Sequence, residues 1–441
     1  MKKIKLILIA LCFLGVTACE DYIDKQPVDQ ISDELVIEDL ESLDAAVLGM
    51  YSSMQSGNTY GELIIFMPGI LSDEMEFTGT FPTKADMAVN NLTAENGTMR
   101  GVFSQPYLTI FIANTILERA ENAGDASEIA SAVAEAKFGR ALALFNLVKL
   151  WGAVPMPLSS DVAVNSALAR TSEAEVYAQI ITDLTEAAAA LPTKADNGVA
   201  RATRGAANAL LARAHLYSGN LSAAGTAANA VITSGEYSLD PDYANIFDQT
   251  ASSPERIFEL YSSVQDQSSL GFFAQPVGLG GRYDYAPRRS FYENEIDDAD
   301  ARKALIVPNA TDASFAGFYV TNKYTDGPNG TDRAQVVRLA EMYLIRAQAN
   351  QDVADLNALR TRAGLAPLGA YSDAAMYFER KVELAFEGHR WFDLRRSGTI
   401  DAVMSALKPS SWNPTDVLLP IPQREIDQNP TLTSADQNPG Y

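Results

Sequence analysis

The chain has 441 residues, of which 34 are basic and 56 acidic, so its formal net charge is −22 at pH 7. A strongly acidic chain repels phosphate backbones, so nucleic acid is not an expected partner. Such a chain also offers no basic segment to anionic lipid headgroups. The length exceeds the usual limit for one hydrophobic core, so we expect one large unit or two closely packed ones.

Residues 1–18 predict a lipoprotein signal peptide. Three lysines among residues 1–5 precede an apolar run over residues 6–16, which is too short to cross a bilayer of roughly 30 Å as a permanent helix. Small residues then precede Cys19, an order typical of a lipobox. We therefore expect cleavage before Cys19 and acylation of its thiol and new amino group. The alternative is an ordinary signal peptide that a cysteine follows by chance.

Cysteine usage fits an exported, lipid-anchored chain. The only other cysteine is Cys12, which lies inside the signal peptide. The mature chain then has no thiol left for a disulfide, a metal or a nucleophile, and its core alone must hold it together. Residues 19–30 form an acidic tether that includes Glu20, Asp21 and Asp24. This tether is either a signal for export to the cell surface or a solvated linker.

Beyond the tether, the sequence predicts an all-α, mainly helical fold. Apolar residues recur at three- and four-residue spacing over residues 204–234, where a Ser-Gly-Asn turn separates two helices. Two antiparallel helices of this length, with alanines where they meet, are typical of a tetratricopeptide-like unit. Similar spacing predicts helices over residues 135–150, 172–191, 333–350, 353–362 and 376–387. Their irregular separation favours a scaffold of helix pairs over a uniform solenoid.

Long segments without helical spacing separate these pairs. They cover residues 58–98, 262–308 and 308–331, and the second is rich in glycine and aromatic residues. Because loops of this length tend to be functional, we expect the ligand site there. We divide the mature chain after the tether into an N-terminal helical region, 31–250, and a C-terminal region, 251–441, packed together as one globular unit.

Candidate catalytic groups are few. His215 and His389 are the two histidines that could act as a base beside a nucleophile. His215 lies on the apolar face of a predicted helix, and we interpret it as a core or cap residue. His389 stands in a dense alternation of charged and aromatic residues, which is either an active site or, as we interpret it, a buried network. A carboxylate pair for glycoside hydrolysis cannot be identified from spacing. We therefore predict that the protein is not an enzyme.

Metal and nucleotide motifs give no support for a cofactor. The sequence has no HExxH, CxxC or Walker motif, and the glycines of residues 278–281 lack the flanking strand and helix of a phosphate loop. Asp297, Asp298 and Asp300 offer oxygens to calcium without the spacing of a recognised calcium loop, so we interpret them as solvated. We expect no metal and no cofactor.

Aromatic residues beside polar ones in loops are the candidate ligand contacts. A pyranose has an apolar face that stacks on an aromatic ring, and its hydroxyls pair with planar donors and acceptors. Two segments combine both kinds of side chain: Arg282, Tyr283, Asp284 and Tyr285, and then Trp412 and Asn413. We predict that these residues contact ligand and that residues 282–289 line the site. Contact with a protein partner and packing within the loop remain open as alternatives.

The sequence resembles the SusD/RagB family of nutrient-binding lipoproteins. Residues 383–396, ELAFEGHRWFDLRR, are similar to the C-terminal hallmark of the family, as are LLPIP at 418–422 and NPGY at 438–441. Weaker similarity covers residues 113–117, 136–142, 148–155, 338–347 and 356–364. The hallmark residues that we interpret as structural are Glu387, Gly388, Arg390, Trp391, Asp393 and Arg395.

The resemblance implies an α-helical fold with four tetratricopeptide-like pairs, displayed on the outer-membrane surface. It further implies a role as the hinged lid of a SusC-like TonB-dependent transporter, capturing oligosaccharides, or peptides in some branches, for import. Ligand residues differ between branches, so none transfers by position. The chain is shorter than we expect for the family, which predicts trimmed loops and a smaller or shallower site. A surface glycoside hydrolase and a helical scaffold that binds only protein are the alternatives.

Overall fold

The computed structural model describes residues 37–441. The predicted signal peptide, Cys19 and the tether lie outside the described residues. In the first half of the chain the α-helices are α1 (Leu40–Met54), α2 (Leu63–Leu71), α3 (Pro82–Ala88), α4 (Gly97–Arg119), α5 (Ala130–Trp151), α6 (Val162–Asn165), α7 (Glu173–Ala190), α8 (Lys194–Asn197), α9 (Arg204–Tyr217) and α10 (Leu221–Thr233). In the second half they are α11 (Leu270–Ala274), α12 (Leu339–Asn350), α13 (Val353–Arg362), α14 (Asp373–Glu383), α15 (Arg390–Ser397), α16 (Ile400–Leu407) and α17 (Gln423–Gln428).

The strands are short and pair two by two. They are β1 (Met75–Phe77), β2 (Val154–Pro155), β3 (Arg170–Thr171), β4 (Arg256–Leu260), β5 (Tyr285–Pro287), β6 (Ile306–Pro308), β7 (Tyr319–Thr321) and β8 (Ala334–Arg338). The antiparallel pairs are β1 with β5, β2 with β3, β4 with β8 and β6 with β7. The β1–β5 pair joins two of the long segments in which the sequence predicted loops, and so brings their side chains together.

The long helices pack in successive pairs, which confirms the predicted helical scaffold. α1 packs against α4, α5 against α7, α9 against α10, and α12 against α13. Neighbouring pairs are joined by contacts of α4 with α5, α7 with α9, and α10 with α12. Small side chains permit close approach within the α9–α10 pair, where Ala207, Ala214, Ala224 and Ala228 are buried.

The structure corrects two predicted helix boundaries and one predicted loop. Residues 334–338, expected to begin a helix, form strand β8, and α12 starts only at Leu339. The helix expected over residues 376–387 is α14, which ends at Glu383. The segment 58–98, expected to be a loop, contains α2 and α3. α2 is an apolar run buried on every side, so it has no amphipathic spacing from which a helix could be predicted.

One hydrophobic cluster extends from Ile37 to Ile426 and takes residues from both sides of residue 250. Trp151 at the end of α5 is fully buried, and its indole N–H donates to the Pro420 carbonyl at 2.9 Å. Asn438 donates to the Trp151 carbonyl at 3.0 Å. The C-terminal residues are thus fixed onto the N-terminal helices. Within residues 37–441, no helix combines the length and the apolarity needed to cross a membrane.

Candidate functional site

Tyr283 and Tyr285, predicted as ligand contacts, are both fully buried. The Tyr285 ring stacks on Phe66 with 4.7 Å between ring centroids, and its hydroxyl donates to Glu62 at 2.5 Å. The Tyr283 hydroxyl donates to the Tyr319 carbonyl at 2.5 Å. The prediction of direct stacking is therefore wrong for these two rings in this structure, because neither has a free face.

The backbone explains why these rings point inwards. β5 begins at Tyr285 and pairs with β1, which places Tyr285 opposite Phe77. Tyr283 has a φ of 63°, an uncommon conformation for a bulky residue. Asp284 between them is also buried, and its carbonyl accepts from the Thr78 N–H at 2.9 Å. A mixture of aromatic and polar residues does not reveal which side of a loop faces solvent, so the sequence could not decide this.

Arg282 remains accessible and adjoins an exposed pair of aromatic rings. Its guanidinium carbon lies 4.0 Å from the Phe81 ring centroid, and its Nη2 donates to the Thr80 hydroxyl at 3.1 Å. The backbone N–H of Arg282 donates to the Phe272 carbonyl at 2.6 Å. Phe81 and Phe272 are each 39% exposed. We call Thr80, Phe81, Phe272 and Arg282 the aromatic surface.

Asp284 orients the Arg282 side chain from within the protein. Arg282 Nε donates to Asp284 Oδ1 at 3.1 Å. Burial raises the pKa of Asp284, and the nearby guanidinium opposes that rise. Arg282 Nη1 has no hydrogen-bond partner among residues 37–441, so this nitrogen is free to donate to a ligand.

A buried ion pair supports the aromatic surface from below. Lys84 pairs with Glu62, and its amine lies 4.2 Å from the Phe273 ring centroid and 4.9 Å from that of Phe81. Phe273 in turn packs edge-on against Phe272 at 5.1 Å. Burial raises the pKa of Glu62, whereas the Lys84 charge opposes the rise. Lys84 thus contacts Phe81 directly and Phe272 through Phe273, so both exposed rings pack against groups fixed within the protein.

Trp412 and Asn413 make different contacts. Trp412 is half-buried, packs edge-on against Trp391 at 5.9 Å, and donates from Nε1 to Asp401 at 3.2 Å. The Asn413 side chain accepts from the Thr415 N–H at 3.2 Å and so begins a short helical turn. Within the described residues, no hydrogen bond or ring contact connects this pair with the aromatic surface. The structure does not bring the two predicted groups of residues together.

The hallmark residues form part of a buried polar network. Glu387 accepts from Arg338 Nε at 2.8 Å and from Lys323 at 2.7 Å. Gly388 follows with a φ of 82°, and a Cβ there would lie 2.4 Å from the Ile64 carbonyl oxygen. These contacts join the end of α14 to strand β8 and to helix α2.

Helix α15 continues this network. Arg390 donates to both carboxylate oxygens of Asp73, at 2.6 and 2.8 Å. Asp393 accepts from Arg380 at 2.8 and 2.9 Å. Trp391 is fully buried. The alternation of charge and aromatic residues in the hallmark thus corresponds to Arg–Asp pairs and packed rings.

The two histidines are poorly placed for catalysis. His389 is buried, and its Nδ1 lies 3.4 Å from an Arg380 nitrogen. Burial lowers the pKa of His389 to about 3. Its imidazole is therefore a weak base near neutral pH, and its burial keeps it from a substrate. His215 lies near the end of α9, where its carbonyl accepts from the Asn220 N–H at 2.9 Å. Its pKa is also lowered by burial.

The aspartates considered for calcium do not form a site. Asp297 and Asp298 are exposed, but Asp300 is buried and pairs with Arg302 at 2.7 Å. The interpretation of all three as solvated is therefore wrong for Asp300, whose burial is compensated by that ion pair. Within residues 37–441, no group of three or more His, Cys, Asp or Glu side chains is arranged to hold a metal ion.

A groove of about 320 Å³ between α4, α6 and α17 was not predicted. Its lining includes Tyr107, Phe111 and Pro155, together with the carboxylate of Glu425. The Tyr107 hydroxyl donates to the Pro155 carbonyl at 2.9 Å. Phe111 is 36% exposed. The sequence signal was weak, because an aromatic residue on an amphipathic helix is equally consistent with core packing.

Comparisons with known proteins agree with this fold. Residues 21–216 match a SusD-like family model described as "Starch-binding associating with outer membrane", and residues 297–441 match the SusD family model. The chain is 29% identical to SusD-like protein P2 of Formosa agariphila, in an alignment that covers 100% of both chains.

Solved structures show the same architecture. A laminarin-binding SusD-like protein has a TM-score of 0.82 at 24% identity, with 92% of this chain and 100% of that chain covered. Surface glycan-binding protein A from Bacteroides thetaiotaomicron, in complex with laminarihexaose, has a TM-score of 0.78 at 21% identity, with 90% and 99% covered.

The successive helix pairs, with the C-terminal segment fixed across them, define a SusD-type helical protein. The two family models together match most of the chain and agree with the curated relatives. The chain belongs to the SusD/RagB family, which confirms the resemblance inferred from its sequence.

Proposed function

We propose that the chain is a cell-surface lipoprotein that captures oligosaccharides and delivers them to a SusC-like TonB-dependent transporter in the outer membrane. The family model matched by residues 21–216 supports an association with glycans and with the outer membrane. Two proteins of similar structure bind laminarin or hold laminarihexaose. Laminarihexaose is therefore the first ligand to test.

The aromatic surface is the observation that carries the glycan proposal. Phe81 and Phe272 present partly exposed rings on which the apolar face of a pyranose can stack. The Arg282 guanidinium lies over the Phe81 ring and donates to Thr80, so Arg282 Nη1 and the Thr80 hydroxyl can pair with sugar hydroxyls next to that ring. Because the rings and the guanidinium are fixed by buried contacts, little conformational entropy is lost when a ligand binds.

The shape of the aromatic surface favours a short contact. Two exposed phenyl rings, one guanidinium and one hydroxyl offer stacking to only a few sugar units. The length of the chain likewise predicts a smaller or shallower site. Affinity for a longer glycan would then depend on several weak contacts between the glycan and the protein, or on further contacts with the transporter.

The membrane association is proposed to come from lipid on Cys19. A single acyl chain gives only reversible binding, whereas several chains hold a protein firmly. The acidic composition of the chain, with a formal net charge of −22, makes attraction to anionic headgroups a poor substitute. Such an anchor, with a tether over residues 19–30, would keep the protein beside a transporter while the protein itself moves.

Three alternatives differ in what they would bind. A peptide-importing member of the family would bind short peptides in place of glycans. A surface glycoside hydrolase would release product from a glycan, and a scaffold would bind only protein partners. The burial and low pKa of His389 disfavour an imidazole-based enzyme, and the exposed rings of the aromatic surface favour a ligand that stacks.

A thermal-shift screen on the soluble chain, residues 20–441, tests the proposal. Ligand at about one hundred times its dissociation constant should add ~2.7 kcal/mol to the free energy of unfolding. We expect one class of oligosaccharide, laminarihexaose among those tested, to raise the melting temperature without being cleaved. A shift with peptides alone would assign the chain to peptide import. Product release would assign it to the hydrolases, and no shift with any ligand would contradict capture by the isolated protein.

A further inference from the structure

A second cleft, of about 140 Å³, lies where the ends of α5, α7 and α9 meet helix α15. It is separate from the aromatic surface and shares no lining residue with it. The residues that line it are Lys149, Glu173, Tyr177, Tyr217, Phe392, Arg395 and Arg396. Because three of these are lysine or arginine, we call it the cationic cleft.

The Lys149 amine has no protein partner in the cationic cleft. Lys149 is 6% exposed, and its Nζ has no hydrogen bond or ion pair with any residue in 37–441. It faces the rings of Phe145 and Phe392, at 5.5 and 4.8 Å from their centroids. Burial lowers the pKa of Lys149 to about 7; the charge of Arg213 contributes to this lowering, and the charge of Glu341 opposes it. An anion beside the amine would offset this loss of solvation.

Arg395 supplies a second uncompensated charge. Its Nη1 donates to the Lys149 carbonyl at 2.7 Å, which fixes the guanidinium against the last turn of α5. Among residues 37–441, no carboxylate lies within ion-pair distance of Arg395. Arg396, by contrast, already pairs with Asp393 at 2.8 Å. Arg395 therefore has guanidinium nitrogens available to an acceptor inside the cleft.

The remaining polar groups of the cleft are also suited to an anion. Tyr177 and Tyr217 line the cleft, and their hydroxyls have no hydrogen-bond partner within the described residues. Glu173, the one acidic side chain of the lining, is exposed to solvent and forms no ion pair in the described part of the chain. Every other buried lysine or arginine of residues 37–441 forms an ion pair with a carboxylate, so the Lys149 amine is an exception.

We propose that the cationic cleft binds a small oxyanion, namely a carboxylate, sulfate or phosphate group. Lys149 and Arg395 supply the charge, since an ionised donor makes the stronger hydrogen bonds to such groups. The hydroxyls of Tyr177 and Tyr217 donate to the remaining oxygens. The volume of about 140 Å³ accommodates several waters, and so a free ion or the acidic substituent of a sugar. The site is independent of the proposed glycan contacts.

Calorimetric titration of the soluble chain, residues 20–441, in a chloride buffer tests this proposal. The probes are sodium sulfate, potassium phosphate and sodium glucuronate, with glucose as the uncharged counterpart of glucuronate. We expect at least one anion to bind and glucose to leave no heat from this site. Binding of sulfate or phosphate alone assigns the cleft to a free ion, and binding of glucuronate assigns it to acidic sugars.

Variants locate the binding. Lys149→Met and Arg395→Gln should each weaken anion affinity by about tenfold or more, because each removes a charge-assisted hydrogen bond. Tyr217→Phe, which keeps the ring, provides a milder third variant should either of these fail to fold. Arg204→Gln, at an exposed arginine that belongs neither to this cleft nor to the aromatic surface, should leave affinity unchanged. Absence of anion binding by the unaltered chain, or binding that none of the three cleft variants weakens, would overturn the proposal. Neither result bears on laminarihexaose binding.

Discussion

Gly388 occupies a position that no side chain can share. Its φ is 82°, and an added Cβ would lie 2.4 Å from the Ile64 carbonyl oxygen, which belongs to the backbone of α2. We expect Gly388→Ala to lower the free energy of unfolding by about 3 kcal/mol, from strain and from displacement of α2. The measurement is urea denaturation of the purified chain.

Gly398 provides the matched control for this substitution. It also has a positive φ, of 70°, but a Cβ there would meet nothing within 4 Å. Gly398→Ala should therefore cost only the conformational strain, about 1 kcal/mol. Equal losses for the two variants would show that the backbone contact of Gly388 is not what requires glycine.

Glu74 should make stability depend on pH. Its side chain is buried, and burial raises its pKa from 4.5 to about 8, with the charge of Asp73 also raising it. Between these two pKa values the folded chain holds a proton that the unfolded chain has released. The contribution of Glu74 to stability is therefore present at low pH and falls by up to ~1.4 kcal/mol per pH unit as the pH rises towards 8.

Glu74→Gln, which resembles the protonated acid, should remove this component. We expect the stability of the variant to fall less than that of the unaltered chain between about pH 5 and pH 8, as measured by urea denaturation. The same pH dependence in both proteins would mean that Glu74 is ionised in the folded state and that burial does not raise its pKa.

At the scale of elements, buried ion pairs join strands to helices. Arg338, the last residue of β8, donates to Glu255 at 2.7 Å and to Glu383 at 2.6 Å, besides its contact with Glu387. Glu255 precedes β4, and Glu383 ends α14. One guanidinium thus holds together the β4–β8 pair, α14 and the turn after it.

Breaking this junction should be costly. Glu387→Gln leaves the buried charges of Arg338 and Lys323 partly unpaired, and we expect a loss of about 3–5 kcal/mol in the free energy of unfolding. Glu293→Gln is the control, since the Arg289–Glu293 pair is exposed and its loss should not be measurable. Chemical denaturation of both variants checks this. A small loss for Glu387→Gln would mean that the network adjusts around the missing charge.

The elements that the sequence predicted well share a local cause. The α9–α10 pair has amphipathic spacing, a capping Asn220 and buried alanines, all visible in a short stretch of chain. α2 was missed because a helix buried on every side has no spacing to detect. β8 was taken for helix because its burial depends on pairing with β4, a contact between distant segments. Helices defined by local spacing and capping could therefore be predicted from the sequence, whereas the pairing of distant strands could not.

At the scale of the whole molecule, the same distinction applies to the aromatic surface. Arg282 was predicted as a ligand contact, and the structure leaves it accessible beside two exposed rings. Phe81 and Phe272 were missed because they belong to two segments far apart in the sequence, which the β1–β5 pair and the contacts around it bring together. The inward orientation of Tyr283 and Tyr285 also depends on that pairing. The prediction thus located part of the region but not the faces that a ligand would meet.

The fold, by contrast, was predictable from the chain as a whole. Helical spacing predicted the helices of the α5–α7, α9–α10 and α12–α13 pairs but not those of the α1–α4 pair. The hallmark over residues 383–396 carried the resemblance to a family that both family models support. These residues could be recognised because they are fixed by buried contacts, such as those of Glu387 and Asp393. The proposed ligand-contacting residues lie on exposed positions, where no such constraint marks them in a single sequence.

Glycan capture is tested most directly by the affinity of the chain for laminarihexaose, or for the oligosaccharide that shifts its melting temperature most, with and without the exposed rings. Phe81→Ala combined with Phe272→Ala should weaken calorimetric affinity at least about tenfold, since each stacked ring is worth roughly 1 kcal/mol or more. Phe378→Ala removes a ring that is 42% exposed on α14 and should leave affinity unchanged. Undiminished binding by the double variant would contradict the assignment of the aromatic surface.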